Sequence, residues 1–351
     1  MAKVSDPTAQ PILDPSSVSA IFLVLTIDPG GEEQVNDTIA DLTSMVRATG
    51  FRYPDRHLSL IASIGSEAWD RLFTGPRPAG LHRFVELDGP RHRAPSTPGD
   101  LLLHIRAGSK DLCFELARNI LNALAGAVTV EYEVDGFRFF DNRDLLGFVD
   151  GTENPAGTAA VDAVLIGAED PDFAGGSYVI AQKYLHDMGS WRSLSTEEQE
   201  RVIGRTKLED IEFPDADKAP TAHIVLNQVN DADGNQLQIM RENMPFGEVG
   251  RGEYGTYFIG YARTPAVTEQ MLRNMFIGEP PGVTDRILDF STAVTGGLFF
   301  TPSVDFLDNP PDLPAGPPGA DRSTSAEPPS EPAPQPPADG SLAIGSLKGI
   351  K

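Results

Sequence analysis

The sequence predicts an α+β fold: two ferredoxin-like halves with facing antiparallel sheets, as in a dimeric α+β barrel, followed by a disordered proline-rich tail. Three observations carry this. The elements legible between residues 20 and 134 run β-α-β-β-α-β, the split order of a ferredoxin-like unit. A looser version of the same order recurs from residue 177 onward. From Asn309 the composition changes, and eleven of the 30 prolines fall between Pro310 and Pro337.

A leader, residues 1–19, is punctuated by proline and reads as loose. Ala20–Ile27 is β-branched and aromatic-rich, and Asp28-Pro-Gly-Gly31 ends it, the pattern of a buried strand. Helical spacing at Val35, Ile39, Leu42 and Val46 predicts a helix over Glu32–Thr49, closed by Gly50. His57–Ile64 and Leu101–Arg106 read as strands, Asp111–Leu124 as a helix, and Ala127–Val134 as the fourth strand. Residues 20–140 make the first half.

The second half, 141–308, opens with an irregular motif. Ser177–Tyr184 is its first strand. Ser195–Gly204 is a helix, because Glu198 stands three residues past Ser195 as in a capping box. Leu237–Arg241 and Gly255–Tyr261 are strands, and Thr264-Pro265 starts a further helix with proline at its first position. Residues 309–338 cannot form a packed core and read as an extended linker. The final segment, 339–351, spaces three apolar anchors, Leu342, Ile344 and Leu347, as a docking peptide for a partner's groove would.

Composition narrows the function. With 28 basic and 51 acidic side chains the formal charge is −23, which disfavours nucleic acid and anionic membrane as partners. No signal peptide and no apolar run of membrane-spanning length is visible, so a cytoplasmic location is expected. The single cysteine, Cys113, sits on an apolar helical stripe and reads as core. Phosphate-binding loops, dinucleotide fingerprints, zinc spacings and nucleophile elbows are absent.

Four places could carry chemistry. In Leu145-Leu-Gly-Phe-Val-Asp-Gly-Thr-Glu-Asn-Pro155 an apolar run delivers Asp150 into a turn, where it is partly desolvated and Gly151 lets a flat ligand approach. The plain alternative is a turn-capping Asp. His223 follows a proline turn and leads an apolar run, suited to an imidazole ligand for porphyrin iron. Arg241 follows Leu237-Gln-Ile-Met, so its guanidinium can reach a low-dielectric cavity and meet developing negative charge, with the Asn243 amide beside it. A surface ion pair with a nearby Glu is the competing reading. Asp285 precedes an apolar turn and could accept from the far nitrogen of a ligand histidine. His186, next to Asp187, could pair with it. The remaining histidines read as structural or surface residues.

Together, Gly147–Pro155, His223, Arg241-x-Asn243 and Asp285 resemble the dye-decolourising peroxidases, most nearly the short bacterial type B branch, over Ala20–Asp308. The resemblance implies one heme b per chain, reduction of hydrogen peroxide through a ferryl intermediate, and oxidation of dye-like, phenolic or other one-electron donors. It implies His223 as iron ligand, Asp150 as acid–base group, Arg241 and Asn243 beside it, and Asp285 behind the ligand. Gly151, Thr152, Glu153 and Asn154 would run beside the heme. Arg205 would meet a propionate, since two propionates in so acidic a protein need a cation. Trp191 or Tyr254 could relay electrons. The segment 339–351 is similar to peptides that load cargo into encapsulin nanocompartments, implying an encapsulin shell partner, a place inside that compartment, and a homo-oligomer. A heme carrier or iron-release protein using the same pocket is the alternative.

Overall fold

A computed structural model describes residues 7–315 of the chain; the anchors of the docking peptide and most of the proline-rich linker lie outside the described residues. Strand β1 (Ser19–Ile27) leads to α1 (Glu32–Gly50), then β2 (Ser59–Gly65), β3 (Leu101–Ala107), α2 (Lys110–Ala123) and β4 (Val128–Phe137). The second half has β5 (Ser177–His186), α3 (Thr196–Ile203), the single turn α4 (His223–Leu226), β6 (Met240–Arg241), β7 (Met244–Glu248) and β8 (Glu253–Ala262). It ends with α5 (Pro265–Phe276) and β9 (Gly297–Thr301).

One antiparallel sheet connects them in the order β6-β8-β5-β9-β2-β3-β1-β4, with β7 also pairing β8. With β6 and β7 counted as one interrupted strand, since both pair β8, each half has the same internal order, second-third-first-fourth in its own chain sequence. The halves are joined where Phe299 and Phe300 of β9 pair Gly65 and Ile64 of β2. Alternation along β1 sorts its side chains between two cores. Ile21, Leu23 and Leu25 pack under α1 and α2 with Val35, Leu42, Cys113 and Leu116. Ala20, Phe22 and Val24 turn the other way, to Val179, Tyr257, Ile259 and Phe299 of the second half. That inner layer is where the two halves face each other, and Phe22 stacks on Tyr257 with centroids 4.2 Å apart.

The inner layer also holds a buried ion pair. The Arg106 guanidinium, 1% exposed, contacts the Glu242 carboxylate and donates to the Pro11 carbonyl, and its Nε donates to Ser59 Oγ at 3.2 Å. His104 stacks between Phe22 and Tyr261, and burial holds its pKa well below the usual histidine value. Removing one partner of a buried pair strands the other charge, a larger effect than the pair's net worth. Arg106→Met is expected to lower unfolding free energy by about 3–5 kcal/mol, measured by denaturant unfolding. An unchanged midpoint would show that Glu242 is protonated or hydrated in place.

Three sequence expectations need correction. The leader is not loose where it is described: the Gln10 amide bonds the Ala62 backbone N–H and carbonyl and the Pro302 carbonyl, all at 2.8 Å, and Ile12 is fully buried. His57 does not begin a strand; it sits at φ +46° after a 3-10 turn, and the strand starts at Ser59. The strand expected over Leu237–Arg241 is broken. Gln236–Leu237 closes a small hairpin with Val229–Asn230, and only Met240–Arg241 joins the main sheet.

Candidate active site

The second half builds one cavity of about 1380 Å³, its mouth included. Asp150, Gly151, Thr152, Glu153, Arg205, His223, Arg241 and Asn243 all line it, although they come from four separate stretches of chain. Apolar walls come from Ile203, Ile224, Ile239, Phe258, Met271, Leu272, Met275 and Ile287.

One wall is made by α4, α5 and the 3-10 turn Arg286–Asp289. His223 is the first residue of α4. α3 ends at Gly204 in a left-handed turn (φ +101°), and a Cβ there would stand 2.6 Å from Ile224, so α4 seats directly on it. His223 Nδ1 donates to Asp285 Oδ2 at 2.7 Å. Asp285 is fully buried, and its other oxygen accepts from the Ile287 N–H at 2.9 Å. With Nδ1 committed, Nε2 is the nitrogen left to act in the cavity. Asn227 Nδ2 donates to the His223 carbonyl at 2.8 Å and ties the turn.

The loop after Asp144 and the segment 241–243 also line the cavity. Gly151 has φ +81°, a conformation glycine adopts freely, and it turns the chain after Asp150. Asn243 Nδ2 donates to Asp150 Oδ2 at 2.9 Å, while its Oδ1 accepts from the Ile259 N–H at 3.2 Å. Asp150 Oδ1 is thereby the oxygen left for a ligand. Arg241 forms no ion pair with any carboxylate among the described residues, so its charge is available to the cavity. Arg205 is nearly buried; it donates to Thr152 Oγ1 at 2.6 Å and lies 3.0 Å from an Asp210 oxygen. Asn154 and Asp285 do not line the cavity but stand behind residues that do.

Several residues were not anticipated in these positions. His186 does not pair with Asp187, which instead caps the helix Met188–Ser193. It lines the cavity between Ser291 Oγ (2.7 Å) and Thr256 Oγ1 (2.9 Å), and burial pushes its pKa down to about 4. Trp191 is buried against Phe148 and Phe290 and donates to the Leu146 carbonyl at 2.9 Å. Asp144 also lines the cavity. Its Oδ1 accepts from the Gly147 and Phe148 N–H groups at 2.8 and 2.9 Å, yet burial, aided by the nearby Asp150 charge, raises its pKa to about 7.

That shift has a sign. The folded state holds the Asp144 proton up to about pH 7 while the unfolded chain releases it near 3.8. The unfolded state therefore binds fewer protons across this window, and Asp144 erodes stability as pH rises through it. Asp144→Asn keeps the acceptor for both N–H groups. It is expected to gain about 2–3 kcal/mol relative to the parent between pH 5 and pH 8, read from unfolding at the two values. A pH-independent difference would place the proton elsewhere.

Comparison with known proteins decides what this arrangement belongs to. The family described as Dyp-type peroxidase, N-terminal, matches residues 9–138, and its counterpart, Dyp-type peroxidase, C-terminal, matches residues 141–306. The chain belongs to the Dyp-type peroxidases. It is 66% identical to a dye-decolorizing peroxidase of Mycolicibacterium paratuberculosis over 97% of this chain and 92% of that one. The encapsulated DyP-type peroxidase from Mycobacterium smegmatis, solved by cryo-EM, superposes with a TM-score of 0.87. It is also 66% identical, over 88% of this chain and 100% of that one. A DypB variant from Rhodococcus jostii RHA1 in complex with heme superposes at 0.85, with 56% identity over 87% of this chain and 99% of that one. As a Dyp-type peroxidase the chain is an enzyme with the mixed α+β fold of its relatives. Among the described residues no helix is long and apolar enough to cross a membrane.

Proposed function

We propose that this Dyp-type peroxidase binds one heme b in the cavity, reduces hydrogen peroxide there, and oxidises dye-like, phenolic or other one-electron donors. The observation that carries the reading is the His223–Asp285 pair. Among the described residues no cluster of three metal-ligating side chains is present, as a bare ion would need. A single imidazole, with Nδ1 held by a buried carboxylate at 2.7 Å and Nε2 left over, is instead suited to porphyrin iron, which His223 would hold. The apolar walls fit a macrocycle, and Arg205 beside Thr152 offers a nearly buried cation for a propionate. Heme would supply the two-electron chemistry with peroxide. The chain's own part is to hold, orient and move protons. Asp150 Oδ1 would take a proton from one peroxide oxygen and return it to the other, which leaves as water, while Asn243 fixes Oδ2 and Arg241 faces the charge that develops on oxygen.

Heme added to the isolated protein should produce a Soret band, and the loaded protein should turn over a phenol or dye with peroxide. No Soret gain removes the reading. A Soret band without steady-state turnover favours a heme carrier or iron-release role. The likeness to an encapsulated peroxidase supports an encapsulin shell as partner and a place inside that compartment. The segment 339–351 is the proposed address. Deleting the residues after Gly340 should abolish co-assembly with shell protein and leave peroxidase activity within twofold. Truncated protein that still co-purifies with shells would overturn the assignment. Light scattering of the full chain tests the expected homo-oligomer.

A further inference from the structure

We propose that Asn154 is a positioning residue for Arg241, holding the guanidinium's backbone in place from the sheet edge, and not a contact for the cofactor. Strand β6 is the outermost strand of the second half, so it pairs on one side only. Antiparallel geometry turns a residue's N–H and C=O to the same side and alternates that side along the strand. The Glu242 N–H is bonded inward, to the Ile259 carbonyl of β8 at 3.1 Å. Arg241 therefore presents its N–H and C=O outward, where no strand lies among the described residues. The Asn154 side chain fills that vacancy. Its Oδ1 accepts from the Arg241 N–H at 3.0 Å and its Nδ2 donates to the Arg241 carbonyl at 2.7 Å. One amide thus does what a neighbouring strand residue would do, across 87 positions of sequence.

Three further observations make this clip more than edge capping. Asn154 does not line the cavity, whereas Arg241 does. The same loop carries Asp150, whose carboxylate takes the Asn243 amide at 2.9 Å, so the loop and segment 241–243 are tied at both ends. Behind them, Glu242 is held on the opposite face by the buried Arg106. Residue 241 is thereby fixed by the amide at its edge and by the ion pair one residue on, leaving its side chain directed at the cavity. The amide is specific in a way a general polar residue is not. Aspartate keeps the acceptor for the N–H but sets an oxygen against the Arg241 carbonyl, and alanine removes both bonds.

The catalytic arm of the test rests on the proposed peroxidase reading; the other arm does not. In the full-length, heme-free protein, hydrogen exchange of the Arg241 amide should be protected in the parent, unprotected in Asn154→Ala, and at least partly protected in Asn154→Asp. A parent amide that exchanges freely overturns the proposal whatever the variants do, even if they fail to fold. In heme-loaded protein, Asn154→Ala should lower kcat/KM for peroxide by about 10–100-fold, the scale expected when a catalytic group is misplaced by an ångström. It should also weaken cyanide affinity, followed by the Soret shift. In an Arg241→Leu background the same substitution should change neither quantity by more than twofold. Equal losses with and without the arginine would mean that Asn154 acts on the whole structure, and overturn the proposal. So would an unchanged rate in Asn154→Ala. Parent protein that takes up no heme would count against the peroxidase reading alone, with the exchange result still deciding the clip.

Discussion

His223→Ala is expected to give a folded protein that retains no heme through purification and shows no peroxide-dependent dye oxidation above background. The cavity's apolar walls survive the substitution, so loose association of added heme should persist, without the Soret band of an axially ligated iron. A cost in stability follows as well. Asp285 is fully buried and loses its charge-assisted bond to Nδ1, keeping only the Ile287 N–H. A buried acceptor left short of a partner costs about 1–3 kcal/mol. The control is Asp285→Asn, which keeps an acceptor for Nδ1 but removes the charge. Partners behind a metal ligand typically change affinity or activity by about 10–100-fold when altered, so this variant should still bind heme, more weakly, with measurable residual turnover. A His223→Ala protein with a normal Soret band and normal turnover would mean that another residue ligates the iron.

How far the sequence reveals this depends on whether a feature is local. The capping box of Ser195 and Glu198, the buried strand over Ala20–Ile27 and the Cys113 stripe are set within a few residues, and the structure has each of them. Asp150, His223 and Arg241 stand out because each borders an apolar run with a polar group, which is unfavourable unless the group faces a cavity, a partner or solvent. What was not legible is pairing across distance. Gln10 looked like part of a loose leader because its partners, Ala62 and Pro302, are 52 and 292 residues away. His186 seemed paired with its sequence neighbour, yet its nitrogens reach Ser291 and Thr256 on adjoining elements. Nothing in Gly-Thr-Glu-Asn-Pro shows that Asn154 bonds both backbone groups of Arg241, 87 residues away. The break between Gln236–Leu237 and Met240–Arg241 was hidden for a related reason. A stretch such as Leu237-Gln-Ile-Met-Arg241 does not record that its first residue belongs to one hairpin and its last two to another sheet.

The second large effect separates charge from proton transfer. Arg241→Leu is expected to slow the reaction with peroxide by about 10²–10³-fold, the range for removing one preorganised donor aimed at developing charge. Asp150→Asn should slow it by less. The arginine's charge is not spent elsewhere: among the described residues it forms no ion pair, and what it brings to the cavity vanishes with it. The aspartate's contribution has a substitute. Its Oδ2 is already engaged by Asn243, its Oδ1 acts only as a proton acceptor, and a water held at the same position can carry the proton instead. The asparagine variant keeps the side-chain volume and the turn at Gly151. Stopped-flow mixing of heme-loaded protein with peroxide measures both rates under pseudo-first-order conditions. If the asparagine variant is the slower of the two, proton transfer by Asp150 and not charge stabilisation by Arg241 limits the step, and the expected ranking is overturned. If the arginine variant reacts at the parent rate, the guanidinium faces the cavity for another purpose, and the clip that holds its backbone would then serve donor binding or heme seating.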